Sequence, residues 1–315
     1  MPLSEKINVS LCKLIPSAIK HFFIALRNTP SLVIFIIISF FSIEYVGWYQ
    51  SGHSGMIVGG VGCLGMVIFA MVVWTFTQNF KPPEPEIKRQ KLGLITLLFY
   101  FLFLILCACY WHFGWKTQLP YPLNNLFLVS AELTSKLFVA LRGVLIRGIL
   151  IVTGFLIPFI LFRLFKYRSN DMGICIHFWW LGLLLMCIFS CAEFVSAFVS
   201  SGTARLNKGF LFDFVDMFFT VGFVEEFYHR GLLQPHLEAI SKNKLNGVVI
   251  MAILFGLWHF PANVAMFGAK PLVVIAGCLG GPAIFGLLMG YLYLRTRSIA
   301  PGSLFHAWYN TMVFV

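Results

Sequence analysis

The chain has 315 residues, of which 59% are hydrophobic and 11% are charged, and its mean hydropathy is +0.86. Because a soluble domain carries roughly 25% charged residues, this composition excludes a soluble enzyme and a disordered chain. The formal net charge of +11 does not indicate nucleic acid as a partner, because basic residues flanking apolar runs are typical of membrane topology. The composition predicts an all-α fold, a polytopic bundle of transmembrane helices.

The predicted elements begin with a basic amphipathic segment at residues 1–30, which we expect to lie on the cytoplasmic face of a membrane. Apolar runs of about 20 residues follow, the length that a helix needs to cross a bilayer core. They predict eight or nine spans, at residues 31–49, 56–79, 92–113, 144–165, 174–199, 210–235, 246–267, 271–294 and 299–315. Polar connections at 81–91 and 116–142 separate the earlier spans.

Basic residues are distributed unequally between the two sides of this predicted bundle. If the N-terminus is cytoplasmic, 15 lysines and arginines fall on the cytoplasmic side and 6 on the other side. Cytoplasmic loops of membrane proteins carry an excess of these residues. We therefore predict a multi-pass integral membrane protein whose N-terminus and 81–91 loop are cytoplasmic.

Ionisable residues inside the predicted spans cluster in the C-terminal third of the chain. Each costs about 2.5–3.5 kcal/mol at the bilayer centre, so clusters of them mark a candidate functional site. The sequences are V-E-E-F-Y-H-R-G at 224–231, L-W-H-F at 257–260 and F-H-A-W-Y-N at 305–310. Earlier spans carry isolated charges, among which a pair between Arg147 and Glu193 is one hypothesis.

Helical spacing places the polar groups of each cluster on a shared face. Glu226 and Arg230 are four residues apart and can pair, whereas Glu225 lies about 100° around the helix and is left free. The same spacing of four relates Phe255 to His259 and His306 to Asn310. One free carboxylate, two imidazoles and one amide could supply a base, polarising groups and an oxyanion donor, which are the requirements of hydrolysis.

The motifs E-E-x-x-x-R, F-x-x-x-H and H-x-x-x-N resemble those of the CPBP intramembrane proteases, over about residues 205–315. This family includes CAAX prenyl endopeptidases and bacteriocin-processing (Abi-type) proteins. The resemblance implies an intramembrane endopeptidase with a membrane-embedded, cytoplasm-facing site. It implies that Glu225 activates water, that His259 and His306 orient the water or stabilise the intermediate, and that Asn310 completes the oxyanion site. Glu226, Arg230 and Phe255 would support these residues.

The resemblance also implies a division of the chain and a class of partner. Residues 1–30 form the basic segment, 31–200 form N-terminal membrane helices of unknown role, and 201–315 form the catalytic core. The expected partners are membrane lipid and a peptide or prenylated, membrane-anchored protein substrate, without nucleic acid. The expected location is a bacterial plasma membrane, and the oligomeric state is left open.

Several alternatives remain at this point. The same fold could serve a non-proteolytic immunity or scaffold protein, and each polar motif alone is typical of helix–helix contacts. Two histidines and a glutamate could bind zinc, but the chain lacks H-E-x-x-H, and the resemblance favours a site without a cofactor. His229 could restrain Glu225, and Trp258 could either pack or line a substrate groove. Glycine pairs at 277/281 and 286/290 predict close helix packing.

Overall fold

The computed structural model describes residues 17–51, 55–114, 144–145, 147–199, 209–241, 243–268 and 270–314. Helices dominate these residues, and no β-strand occurs among them, so the predicted all-α class is confirmed. In chain order the helices are α1 (17–28), α2 (Pro30–Ser51), α3 (Gly55–Thr77), α4 (Gln90–Gly114), α5 (Arg147–Leu164), α6 (Trp179–Val199), α7 (210–240), α8 (Lys244–Trp258), α9 (Phe260–Phe267), α10 (Pro271–Gly280), α11 (Pro282–Thr296) and α12 (Ala300–Phe314). The start of the amphipathic segment, residues 1–16, and the 116–142 connection lie outside the described residues.

Several of these helices have the dimensions and composition of membrane spans. Within the described part of the chain, four segments qualify, namely Pro30–Gln50, Gln90–Cys109, Arg147–Leu164 and Pro271–Thr296. Helices α8 and α9 add a fifth if they are counted as one span that is bent by 46°. Large apolar side chains such as Phe41 and Phe99 are 66% and 70% exposed, as expected for surfaces that face lipid. The chain is thus an integral membrane protein, while the count of eight or nine spans stays a prediction.

Helix α7 lies at the centre of the bundle, where α4, α5, α8, α11 and α12 pack around it. Every residue from 226 to 238 is buried, although this stretch contains charged and polar side chains. A buried charge is tolerated only when it is paired and hydrogen-bonded. The surrounding helices must therefore supply hydrogen-bonding and ion-pair partners for the buried polar side chains of α7.

Glycines bring α7 and α12 into backbone contact. A Cβ atom at Gly222 would lie 2.6 Å from the carbonyl oxygen of Ser303, and one at Gly302 would lie 2.9 Å from Oε2 of Glu226. Larger residues at either position would separate the two helices. Small residues commonly permit such close approach of helices in membranes. A Cβ at Gly286 or Gly290 would similarly lie 3.0 Å or 2.9 Å from a side-chain carbon of α8, as the glycine spacing predicts.

Replacing Gly222 by alanine should destabilise the protein by about 1–3 kcal/mol, because the new methyl group meets a backbone oxygen that cannot rotate away. Chemical unfolding in detergent would measure this change. Gly148→Ala is the matched control, since nothing lies within 4 Å of a Cβ atom built at that position. Equal stability of the two variants would show that α7 and α12 do not touch at Gly222.

One face of the bundle gathers the loops that the charge count assigns to the cytoplasmic side. Glu84, between α3 and α4, pairs with Lys244 at the start of α8 and with Nη2 of Arg297 at 3.1 Å. Nη1 of Arg297 lies 2.7 Å from Oε2 of Glu238 at the end of α7. We call these four residues the loop-face ion network. Their grouping agrees with a shared side for these loops.

The loop-face ion network should make stability depend on pH. Burial raises the pKa of Glu84, but its hydrogen bond to Lys244 and the charges of Arg297 and Lys244 outweigh burial, so the pKa lies below its ordinary value of 4.5. A carboxyl whose pKa is lowered by folding stabilises the protein above its unfolded pKa and loses that effect as the pH falls through the folded pKa. Glu84→Gln should therefore lower the thermal unfolding midpoint at neutral pH but not in acid below the folded pKa. Glu86→Gln, on the same loop, is the control. If the thermal unfolding midpoints of wild type and Glu84→Gln differed by the same amount at every pH, this expectation would be contradicted.

Candidate active site

The backbone of α7 departs from regular α-helix on both sides of the two glutamates. Residues Phe218–Gly222 and Phe227–Leu233 form π-helical turns around a short α-helical stretch, Phe223–Glu226. The second π-turn ends where the amide of Gln234 donates to the carbonyl of His229, five residues back. Pro235 follows and has no N–H to donate to the carbonyl four residues before it, which favours a widened turn here. Such π-bulges occur frequently at functional sites.

Glu226 is held by two buried partners, which both contact the same carboxylate oxygen. Its Oε1 lies 3.1 Å from Nη1 of Arg230, as the spacing of four residues predicts, and 3.0 Å from Nδ1 of His306 on α12. Arg230 also donates to the carbonyl of Gly286 at 3.3 Å, and its guanidinium carbon lies 4.3 Å above the ring of Phe255. Glu226 and Arg230 are at most 1% exposed. The pair is thus held by contacts from α8, α11 and α12.

Glu225 is the less constrained carboxylate of the two. Its Oε1 accepts a hydrogen bond from Nε1 of Trp258 at 3.2 Å. Its Oε2 is buried, has no hydrogen-bond partner among the described residues, and lies 3.8 Å from Nε2 of His306. His306 therefore lies between the two glutamates, with Nδ1 toward Glu226 and Nε2 toward Glu225. This arrangement leaves one basic oxygen and one ring nitrogen facing each other.

Two of the three histidines in this region are held by the backbone carbonyl four residues before them. Nδ1 of His259 contacts the carbonyl of Phe255 at 3.0 Å, and Nδ1 of His229 contacts the carbonyl of Glu225 at 2.9 Å. Because a carbonyl only accepts, Nδ1 carries the hydrogen in both rings and Nε2 is left without it when the ring is neutral. The ring of Phe255 lies 5.0 Å from those of His229 and His259 and 5.9 Å from that of His306. Phe255 is thus the common packing surface of the site.

The structure does not bring every candidate into direct contact. None of the described ion pairs joins His259 to a glutamate, and His259 instead sits at the break between α8 and α9. Asn310 lies one turn beyond His306 on α12 and is half-buried, without a described side-chain partner. Within the part of the chain that the structure describes, no group of three His, Cys, Asp or Glu side chains is arranged to hold a metal ion.

Two features of the site region differ from or extend the sequence analysis. Nε of Arg147 pairs with Oδ1 of Asp216 on α7 at 2.6 Å, whereas the side chain of Glu193, the partner considered for Arg147, lies outside the described part of the chain. The hydrogen bond from Trp258 to Glu225 joins residues 33 positions apart, and no spacing rule predicts it. His229 could be identified from the sequence, because it follows Glu225 by four residues, and in the structure it contacts the carbonyl of Glu225.

Comparison with known proteins agrees with the sequence motifs. Residues 207–312 match the sequence model of a family described as Rce1-like, type II CAAX prenyl endopeptidase. The chain carries a CPBP-family domain. All the catalytic and supporting candidates lie within the matched residues of this CPBP domain, and the helices before residue 207 lie outside it. No curated protein and no solved structure matches the chain. The family indicates an intramembrane protease that acts as a hydrolase.

Proposed function

We propose that the protein is a glutamic intramembrane endopeptidase that hydrolyses a peptide bond with a water molecule activated by Glu225. The observation that carries the proposal is the 3.8 Å separation of Glu225 Oε2 and His306 Nε2, both inside the CPBP domain. This separation is too long for a direct hydrogen bond but allows one water molecule to bond both atoms. Burial of Oε2 without a described partner further supports its use as the base.

The reaction would follow from this geometry. Glu225 takes one proton from the bound water, while the water oxygen forms a bond to the carbonyl carbon of the peptide. His306 orients the water through Nε2, and the contact of Nδ1 with Glu226 holds the imidazole ring in place. When the tetrahedral intermediate collapses, the C–N bond breaks and Glu225 gives its proton to the leaving amine. The products are a carboxylic acid and an amine.

The remaining candidates would act on the oxyanion. The side-chain amide of Asn310 can donate to the developing negative charge from the turn beyond His306. His259, whose Nδ1 is held by the carbonyl of Phe255, can present Nε2 to the water or to the intermediate. We assign these roles from the family motifs and from the shared packing of both imidazoles on Phe255. The reaction as written uses no metal ion, and zinc is the alternative that the test below separates.

We propose that the site opens to the cytoplasm and accepts a membrane-anchored substrate. His306 lies six residues after Ala300, the first residue of α12, or ~9 Å along the helix axis, and Ala300 lies three residues after Arg297 of the loop-face ion network. The match to a CAAX prenyl endopeptidase family supports a prenylated or otherwise membrane-anchored peptide as the substrate class. A bacterial plasma membrane, with peptide or bacteriocin processing, is the setting we favour.

The direct test is peptide hydrolysis by purified protein in liposomes, with prenylated and unprenylated membrane-anchored peptides as substrates. We expect cleavage, and in H₂¹⁸O the new carboxylate should carry the label. A Glu225→Gln preparation controls for contaminating proteases. Activity that a strong chelator removes and zinc restores would establish the zinc alternative. Peptide binding without cleavage would favour the non-proteolytic immunity or scaffold protein.

The proposed orientation has its own test. A cysteine at position 85, in a chain whose eight native cysteines are replaced, should react with a membrane-impermeant maleimide only after permeabilisation. A cysteine at position 270, between α9 and α10, should react in intact cells because it lies on the predicted outer side. Labelling of position 85 from outside would overturn the assignment of the loop-face ion network to the cytoplasm.

A further inference from the structure

We propose that Trp258 is a positioning residue that holds Glu225 so that Oε2 alone serves as the base. This inference rests on the proposed hydrolysis. The indole N–H of Trp258 donates to Oε1 of Glu225 at 3.2 Å, on the side chain whose Oε2 is 3.8 Å from His306. The two carboxylate oxygens are chemically equivalent in a free glutamate. The contact with Trp258 makes them different.

The indole ring is fixed by aromatic contacts on several sides. Its ring centroid lies 5.4 Å from that of His229, 5.9 Å from that of Phe101 and 6.4 Å from that of Tyr228. The hydroxyl of Tyr228 donates to the carbonyl of Leu97 on α4 at 2.7 Å, which ties this cluster to a helix outside the CPBP domain. A ring packed in this way presents its N–H in one direction.

Glu225 is held at its other end by the same cluster. Nδ1 of His229 donates to the backbone carbonyl of Glu225 at 2.9 Å, and the ring of His229 meets that of Trp258 at an interplanar angle of 80°. The backbone of Glu225 is thus fixed from His229 and its carboxylate from Trp258, and these two rings touch each other. Without the contact from Trp258, the carboxylate of Glu225 could rotate about its last bond.

That rotation has a direct consequence for the rate. The terminal torsion of glutamate is broad and roughly two-fold, so only an external hydrogen bond fixes the direction of each oxygen. A base displaced by about 1 Å can cost about 10²-fold in rate. Loss of the indole N–H should therefore lower kcat without removing any group that contacts the substrate. The expected signature is a lower kcat with KM nearly unchanged.

The test compares Trp258→Phe with Trp308→Phe in the liposome assay. Trp308 is a buried tryptophan on α12, where it packs on Phe305, and none of its described contacts involves Glu225. We expect Trp258→Phe to lower kcat by about 10–100-fold, with KM and thermal unfolding close to those of Trp308→Phe. Benzothienylalanine at position 258, which replaces the N–H by sulfur and keeps the bicyclic ring, should reproduce the loss even if the phenylalanine variant folds poorly.

The outcomes separate this inference from the proposed function. Wild-type kcat in both Trp258 variants, or an equal loss in Trp308→Phe, would overturn the role of Trp258 while leaving hydrolysis intact. In a Glu225→Gln background, Trp258→Phe should cause no further loss, and a full additional loss would show that Trp258 acts elsewhere. A wild type that does not cleave, or a Glu225→Gln variant that cleaves normally, would overturn both proposals together.

Discussion

Glu225→Gln should leave the protein folded and lower peptide hydrolysis by about 10²–10⁴-fold, the usual contribution of a general base. Glutamine preserves the shape of the side chain and can still accept the hydrogen bond from Trp258 through its carbonyl oxygen. It cannot take a proton from water at neutral pH. The loss should therefore appear in the rate constant of the cleavage step, as measured by single-turnover hydrolysis in liposomes, while the unfolding transition stays unchanged.

The matched control for this variant is Glu44→Gln. Glu44 is another membrane-helix carboxylate whose oxygens are buried, but it lies on α2, and no described contact joins it to His306 or Trp258. This control should cleave like wild type. Undiminished cleavage by Glu225→Gln would exclude Glu225 as the base, whereas equal losses in both variants would point to a general effect of removing membrane charges.

Glu226→Ala should destabilise the protein by about 3–5 kcal/mol, because the guanidinium of Arg230 then remains buried without its carboxylate. The variant should also lose activity, since His306 loses the acceptor that orients its ring. Folded yield and chemical unfolding in detergent would measure the first effect, and cleavage by the folded fraction would measure the second.

Two further variants test the cause of this loss. Glu86→Ala removes a carboxylate whose side chain is 62% exposed and which pairs with Lys88 at 3.5 Å, so it should change stability by less than about 1 kcal/mol. Adding Arg230→Met to Glu226→Ala removes the unpaired charge and should recover part of the stability, since apolar replacements of buried ion pairs are often tolerated. A Glu226→Ala variant as stable as wild type would mean that the pair is solvated.

Local spacing in the sequence predicted the parts of the site that lie within one helix. The ion pair of Glu226 with Arg230, and the proximity of His229 to Glu225, follow from residues four apart on α7. Burial was equally predictable, because charged residues in apolar runs of this length must face a protein interior. These features depend on helical geometry alone.

The contacts between helices could be identified only from the structure. His306 reaches both glutamates because glycines allow α12 to touch α7, and a single sequence does not state which helices are neighbours. The same limit applies to Arg147, since its partner Asp216 belongs to a helix whose distance from α5 no spacing rule gives. Trp258 was ambiguous for a related reason, because an aromatic residue in a membrane helix is compatible with both packing and hydrogen bonding.

The sequence separation between the partners of Glu226 also bears on how the chain enters the membrane. Arg230 is four residues away, whereas His306 is 80 residues further along the chain. At 5–20 residues per second, a ribosome makes His306 roughly 4–16 s after Glu226. During that interval the nascent helix already contains Glu226 and Arg230 one turn apart, so these two opposite charges can pair with each other before α12 has been made. Helix α12 would then complete the site after α7, the helix that carries the buried charges, has been inserted into the membrane.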